Sequence, residues 1–133
     1  MAIKKILFVC VENSARSQIA EALFNSISTK ARAESAGTKP ASAVNPLAVQ
    51  VMKEVGIDIS GSKPKMLTFQ MINSAERMIT MGCTGNAVCP GAMSPSEDWR
   101  IDDPVGKSIE KFREIRDVIR KKVEKLVQDL ENP

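Results

Sequence analysis

A short apolar run that passes through a polar loop straight into a helical pattern constrains this chain most. Ile6-Leu7-Phe8-Val9 reads as a buried strand, within a segment from Ile3 to Val9 rich in β-branched and large apolar residues. The next residues, Cys10 to Ser17, are mostly small or polar. Directly after them Ile19, Ala20, Leu23, Phe24 and Ile27 recur at helical spacing and define one buried face. A strand feeding a helix in this way belongs to a crossover unit, whose next strand lies parallel to the first.

The same alternation continues. Ala31 to Ala36 reads as a second strand closed by Gly37. Asn45-Pro46 is a helix start, with Asn45 as cap and Pro46 in the first turn; Leu47, Ala48, Val51, Met52 and Val55 share a face, and Gly56 is a stop. A short helix is expected from about Met66, a third strand over 77–81 and a fourth over 99–101. Residues 82–98 hold Gly, Pro and Ser and read mostly as a long loop. From Ser108 onward Ile109, Phe112, Ile115, Ile119, Val123, Leu126 and Leu130 form an amphipathic stripe. The expected fold is α/β, a doubly wound three-layer sandwich around a four-stranded parallel sheet, in one catalytic domain spanning 1–133. Sites in such sheets lie beyond the carboxyl ends of the strands. Topology therefore brings Cys10, Cys83 and the pair Asp102-Asp103 to one edge.

Between the first strand and the first helix stand one thiol, five residues and one guanidinium. The backbone of Val11, Glu12, Asn13, Ser14, Ala15, Arg16 and Ser17 could cradle an oxyanion, because loop amides and a helix N-terminus supply donors and positive potential. Arg16 adds a planar fork for two oxygens of a tetrahedral anion. The same field favours the thiolate of Cys10, the form that attacks. Ser17 is close enough in sequence to donate to that sulfur, although a helix-start serine is an equally good reading of it. Glu12 is an oddity, a carboxylate inside an anion loop.

Composition removes several alternatives. The 133 residues carry a net charge of +3, one Trp, four Phe and no Tyr, so base-stacking platforms are scarce and no nucleic-acid partner is expected. No apolar stretch approaches the roughly 20 residues that cross a bilayer, and no export-type leader follows the N-terminal lysines, so a cytoplasmic protein without a membrane partner is expected. Three cysteines do not make a secreted disulfide scaffold. The absence of His excludes a Cys/His zinc site and a Cys–His catalytic pair; no metal and no organic cofactor are inferred.

The Cys10–Arg16-Ser17 loop, Ser35-Ala36-Gly37-Thr38, Cys83 with Cys89, and Asp103-Pro104 after Trp99 resemble, nearly end to end, the low-molecular-weight phosphotyrosine phosphatase superfamily. Within it the chain is most similar to arsenate reductases coupled to thioredoxin. The resemblance implies Cys10 as nucleophile, Arg16 as oxyanion clamp, Asp103 as general acid, and Cys83 and Cys89 as a redox relay. It implies arsenate or phosphate as the bound oxyanion and thioredoxin or a similar dithiol as reductant. Asp103 fits its role physically, since Pro104 restricts the residue before it and a protonated carboxyl can serve a leaving oxygen. Two departures stand out. The gap between Cys83 and Cys89 is one residue shorter than the family's, and the family's cation site meets Asn13, Glu21 and Ser35 here but then Lys63-Pro64-Lys65, without a carboxylate. A bound potassium ion is therefore not inferred.

The alternative activity is a tyrosine phosphatase working through phosphocysteine, which needs only Cys10, Arg16 and Asp103. Val105-Gly106 follows the Asp-Pro pair where such phosphatases place aromatic residues, and the two further cysteines have no use in that chemistry. A non-catalytic sensor binding trivalent arsenic through three thiols would need neither Arg16 nor Asp103.

Overall fold

The computed structural model describes residues 4–82 and 96–131. Four strands, β1 (Lys4–Cys10), β2 (Ala31–Gly37), β3 (Arg77–Thr80) and β4 (Ser96–Asp98), form one sheet in the order β2-β1-β3-β4. Every pairing is parallel. The helices are α1 (Arg16–Ile27), α2 (Pro46–Lys53), α3 (Phe69–Ser74) and α4 (Ile109–Glu131). The chain crosses from β1 to β2 on one side and returns to β3 on the other, so the switch point of the winding lies at the end of β1.

Side-chain alternation along β1 sets the three layers. Ile6, Phe8 and Cys10 face a large core shared with α1, α2 and α4; Leu7 and Val9 face a smaller one closed by Ile72 of α3. Phe8 anchors the larger side, with Phe24 edge-on at a centroid distance of 6.0 Å and Trp99 at 5.5 Å. On α4 the stripe of Phe112, Ile115, Ile119, Val123 and Leu126 is buried as its periodicity requires. No helix among the described residues is long and apolar enough to cross a membrane.

Boundaries differ most from the sequence expectation in two places. The fourth strand is Ser96–Asp98 rather than 99–101. Arg100 adopts a left-handed backbone (φ 52°), which an extended strand cannot contain. Trp99 and Ile101 still donate to the carbonyls of Thr80 and Met81, so the ladder continues past the strand in irregular form. The third helix starts at Phe69 rather than near Met66, because Thr68 Oγ1 caps it by accepting from the amide of Met71. Met66 instead bridges to Gly37 at the end of β2. The Asn45 cap accepts from the Leu47 amide at 2.9 Å as expected.

The C-terminal end of α4 is tied to the turn before β2. One carboxylate oxygen of Glu131 accepts from the amides of Thr29 and Lys30 and from the hydroxyls of Ser28 and Thr29. These donors, the Thr29 amide foremost, hold the Glu131 carboxyl below the ordinary glutamate range against a smaller effect of desolvation. Since the folded value lies below the unfolded one, the stabilisation is present above the ordinary range and is lost as pH falls through the folded value. Glu131→Ala is expected to lower Tm at neutral pH, with the gap to wild type narrowing in acid. Thermal unfolding at neutral and acidic pH checks this, and equal Tm values at neutral pH would contradict it.

Candidate active site

The loop after β1 is built from its carbonyls outward. The carbonyls of Cys10, Val11, Glu12 and Ser14 accept from the amides of Thr38, Lys39, Ala41 and Asn45, all in the β2–α2 connection. Four of the loop's carbonyls are thus engaged from outside. Asn13 holds a left-handed backbone (φ 52°), a conformation asparagine tolerates better than most residues. Its amide donates to Cys10 Sγ at 3.2 Å. Gly37 is required beside it, because a Cβ there would lie 2.5 Å from the Val11 carbonyl oxygen. Helix α1 begins at Ala15-Arg16 with no side-chain cap, so its first-turn amides remain orphan donors at the loop.

Cys10 is buried at the floor, with Sγ 2.8 Å from Ser17 Oγ. Ser17 Oγ also accepts from Asn13 Nδ2 at 2.7 Å. With that lone pair occupied, the serine hydroxyl proton is free to point at sulfur. Sγ thus has two donors and no acceptor among these contacts. Arg16 is buried at the rim. Its Nη1 donates to the carbonyls of Met81 and Ile101, both at 3.0 Å, and so ties the guanidinium to the ends of β3 and β4. Its Nη2 lies 3.8 Å from Asp103 Oδ2. Asp103 is half exposed and fixes its own turn by accepting from the Val105 amide at 3.1 Å. Asp102 points to a different partner, Lys111 Nζ at 3.3 Å.

The structure therefore brings together Cys10, Glu12, Ser14, Ala15, Arg16 and Asp103 around one small cavity. A larger one of about 570 Å³ adjoins it, sharing Arg16 and Asp103 and lined also by Val11 and Gly82. Cys83 and Cys89 lie outside the described residues. Gly82, immediately before Cys83, sits against the site: a Cβ on it would lie 3.2 Å from Arg16 Nη1. Among the described residues no group of three or more Cys, Asp or Glu side chains gathers to hold a metal. Glu21 is occupied in accepting from Ser35 Oγ at 3.0 Å.

One residue of the site escaped the sequence reading. Gln18 is almost wholly buried, and its Nε2 donates to Asn13 Oδ1 at 3.1 Å and to the Lys63 carbonyl at 3.3 Å. The Lys65 amide donates to the same Asn13 oxygen at 2.9 Å. The 63–65 backbone and Gln18 together orient the Asn13 amide, Asn13 orients Ser17, and Ser17 meets the sulfur. Only the polar residue in the first turn of an otherwise apolar helix face hinted at this. Gln18→Ala is expected to cost about 1–2 kcal/mol of stability through the lost buried hydrogen bonds and to slow turnover roughly tenfold by loosening the nucleophile. Urea unfolding and steady-state rates measure the two effects; unchanged turnover would show that Asn13 needs no such support.

Comparison with known proteins agrees with this geometry. The family model described as low molecular weight phosphotyrosine protein phosphatase matches residues 5–133. An arsenate reductase from Brevibacillus brevis is 38% identical over 128 residues, covering 94% of this chain and 95% of that protein. A solved structure described as an arsenate reductase in the phosphate binding state superposes with a TM-score of 0.84 at 35% identity, over 96% of this chain and 98% of that one. An arginine phosphatase from Geobacillus stearothermophilus superposes with a TM-score of 0.85 at 28% identity, over 96% of this chain and 93% of that one. A parallel sheet wound about a Cys10–Arg16 loop, matched almost from end to end, places the chain in the low molecular weight phosphotyrosine protein phosphatase family, close to its arsenate reductases.

Proposed function

We propose that the protein is a thiol-dependent arsenate reductase, converting arsenate to arsenite in the Cys10 cup. The observation that carries the reading is the sulfur of Cys10 held by two donors beneath an uncapped helix N-terminus, with Arg16 and Asp103 at the rim. The relatives named arsenate reductase, one of them with phosphate bound according to its description, support the same oxyanion.

In this reading the Cys10 thiolate attacks arsenic, and Asp103 gives a proton to the departing oxygen, which leaves as water. Arg16 and the loop amides neutralise the charge on the remaining oxygens. The Cys83 thiolate then attacks Cys10 Sγ. A sulfur–sulfur bond forms, the sulfur–arsenic electron pair passes to arsenic, and arsenite leaves. Cys89 attacks Cys83, freeing Cys10 and presenting a Cys83–Cys89 disulfide to thioredoxin or a similar dithiol. Two thiols supply the two electrons.

Arsenite formation from arsenate with a thioredoxin system, beside phosphate release from an aryl phosphate, tests the proposal; phosphate release without arsenite would support the alternative. That alternative, a phosphatase using phosphocysteine, is favoured by the family model and by the arginine phosphatase likeness. Against a phosphotyrosine substrate stand the absence of Tyr, the Val105-Gly106 pair after Asp103-Pro104, and Trp99, whose ring packs on Phe8. Asp103→Asn is expected to slow the chemical step by about 10²–10⁴-fold while keeping oxyanion binding, and Asp102→Asn to have little effect. Measured in parallel, the reverse pattern would move the acid by one residue.

A further inference from the structure

Glu12 is left unexplained by the reaction above. A cup built to hold an anion normally excludes carboxylates, yet Glu12, an exposed residue, is among those lining the same small cavity as Cys10, Arg16 and Asp103. Its backbone is not free to swing away, since its carbonyl accepts from the Ala41 amide at 2.9 Å and that of Val11 from Lys39 at 2.8 Å. Its Oε2 is the acceptor for Ser14 Oγ at 3.4 Å, a contact that holds the carboxylate across the loop. The other oxygen, Oε1, has no hydrogen bond among the described residues.

We infer that the Glu12 carboxylate makes the cup select tetrahedral oxyanions that still carry a proton, arsenate and phosphate, over sulfate. The inference rests on the reading of the Cys10 loop as an oxyanion cup. The loop amides and the Arg16 guanidinium are all donors. They grip any tetrahedral anion and cannot distinguish one from another. An ionised carboxylate is acceptor-only, and it answers a different question. Near neutral pH arsenate and phosphate retain at least one hydroxyl, which can donate a charge-assisted hydrogen bond to Glu12. Sulfate retains none, so its oxygen would face a carboxylate oxygen with no proton between them, and the like charges repel. A reductase or phosphatase working where sulfate is common gains from such a filter. Asp103 lines the same cavity but lies beside Arg16 and serves the leaving oxygen, so it does not take this role.

Protection of Cys10 from iodoacetamide in the reduced full-length chain tests the inference without using turnover. Peptide mapping separates Cys10 from Cys83 and Cys89, and inorganic phosphate and sulfate are the probes. Phosphate is expected to protect at concentrations roughly 10–100-fold lower than sulfate, a site that hydrogen-bonds a substrate hydroxyl rejecting the analogue that lacks one. Glu12→Gln, whose amide can donate to sulfate, is expected to close the gap to within about threefold, chiefly by strengthening sulfate. Glu12→Asp keeps a carboxylate and should keep the preference for phosphate, which controls for disturbance of the loop. Asp102→Asn, at a carboxylate that faces Lys111 instead of this cavity, should leave the ratio near its wild-type value. Equal protection by the two ions in the wild type, or an unchanged ratio in Glu12→Gln, would overturn the inference alone. Protection by neither ion would remove the cup itself and this inference with it. A phosphate preference that depends on Glu12 in a protein that does not reduce arsenate would uphold the filter and sink only the proposed reductase.

Discussion

Replacing Cys10 by serine is expected to abolish arsenate reduction and aryl-phosphate hydrolysis together, by on the order of 10⁴-fold or more. The argument is one of proton balance. A serine hydroxyl must lose its proton to attack, and the groups that touch position 10 are donors: the Asn13 amide and the Ser17 hydroxyl, itself fed by Asn13 Nδ2. Neither can receive a proton, and the chain contains no histidine. Sulfur needs no such base, because a thiol is intrinsically far more acidic than a hydroxyl and far more nucleophilic once ionised. The exchange changes one atom, so stability should move by less than about 1 kcal/mol, and unfolding curves separate lost chemistry from lost fold. Steady-state rates near wild type would remove Cys10 from the mechanism.

Arg16→Lys is expected to produce the second largest loss, for two reasons that can be measured apart. The guanidinium fork becomes a point charge, which forfeits bidentate contact with two oxygens of the anion; removal of a donor of this kind costs about 10²–10³-fold in rate. The Met81 and Ile101 carbonyls also lose the Nη1 that now joins them, and an ammonium cannot reach both while still facing an anion. The ends of β3 and β4 should loosen, with a stability loss of about 1–3 kcal/mol. A variant that unfolds earlier yet binds and turns over arsenate normally would make Arg16 a strut and nothing more.

The candidate site was legible in the sequence where a change of pattern marked it. The apolar run of β1 gives way to helical spacing in α1 with Cys10 and Arg16 at the junction, and parallel winding then fixes which edge holds Asp103. The two misplaced boundaries have local causes that propensity does not carry. Arg100 is left-handed although it is neither Gly nor Asn, and Thr68 captures the start of α3 that the apolar pattern suggested near Met66. Gln18 was illegible for another reason. Its partners are Asn13 and the backbone of 63–65, and nothing in helical periodicity announces a contact so distant in sequence. Lys63-Pro64-Lys65, read by its side chains, looked like a missing cation ligand. The loop acts on Asn13 through the Lys65 amide and, by way of Gln18, the Lys63 carbonyl, and those backbone groups are independent of side-chain identity. Glu12 was noticed as an anomaly, but only the fold puts it on the wall of the Cys10 cavity.

The reductase account is tested most directly by one turnover without an external reductant. The fully reduced protein is given one equivalent of arsenate, and arsenite, free thiols and disulfide-linked peptides are measured on the same sample. The account predicts one arsenite per chain, loss of two of the three thiols, and a Cys83–Cys89 bridge that leaves Cys10 free. In Cys89→Ser the same arsenite should appear, with the bridge trapped between Cys10 and Cys83. Arsenate consumed with no arsenite, or arsenite formed with all three thiols intact, would contradict it.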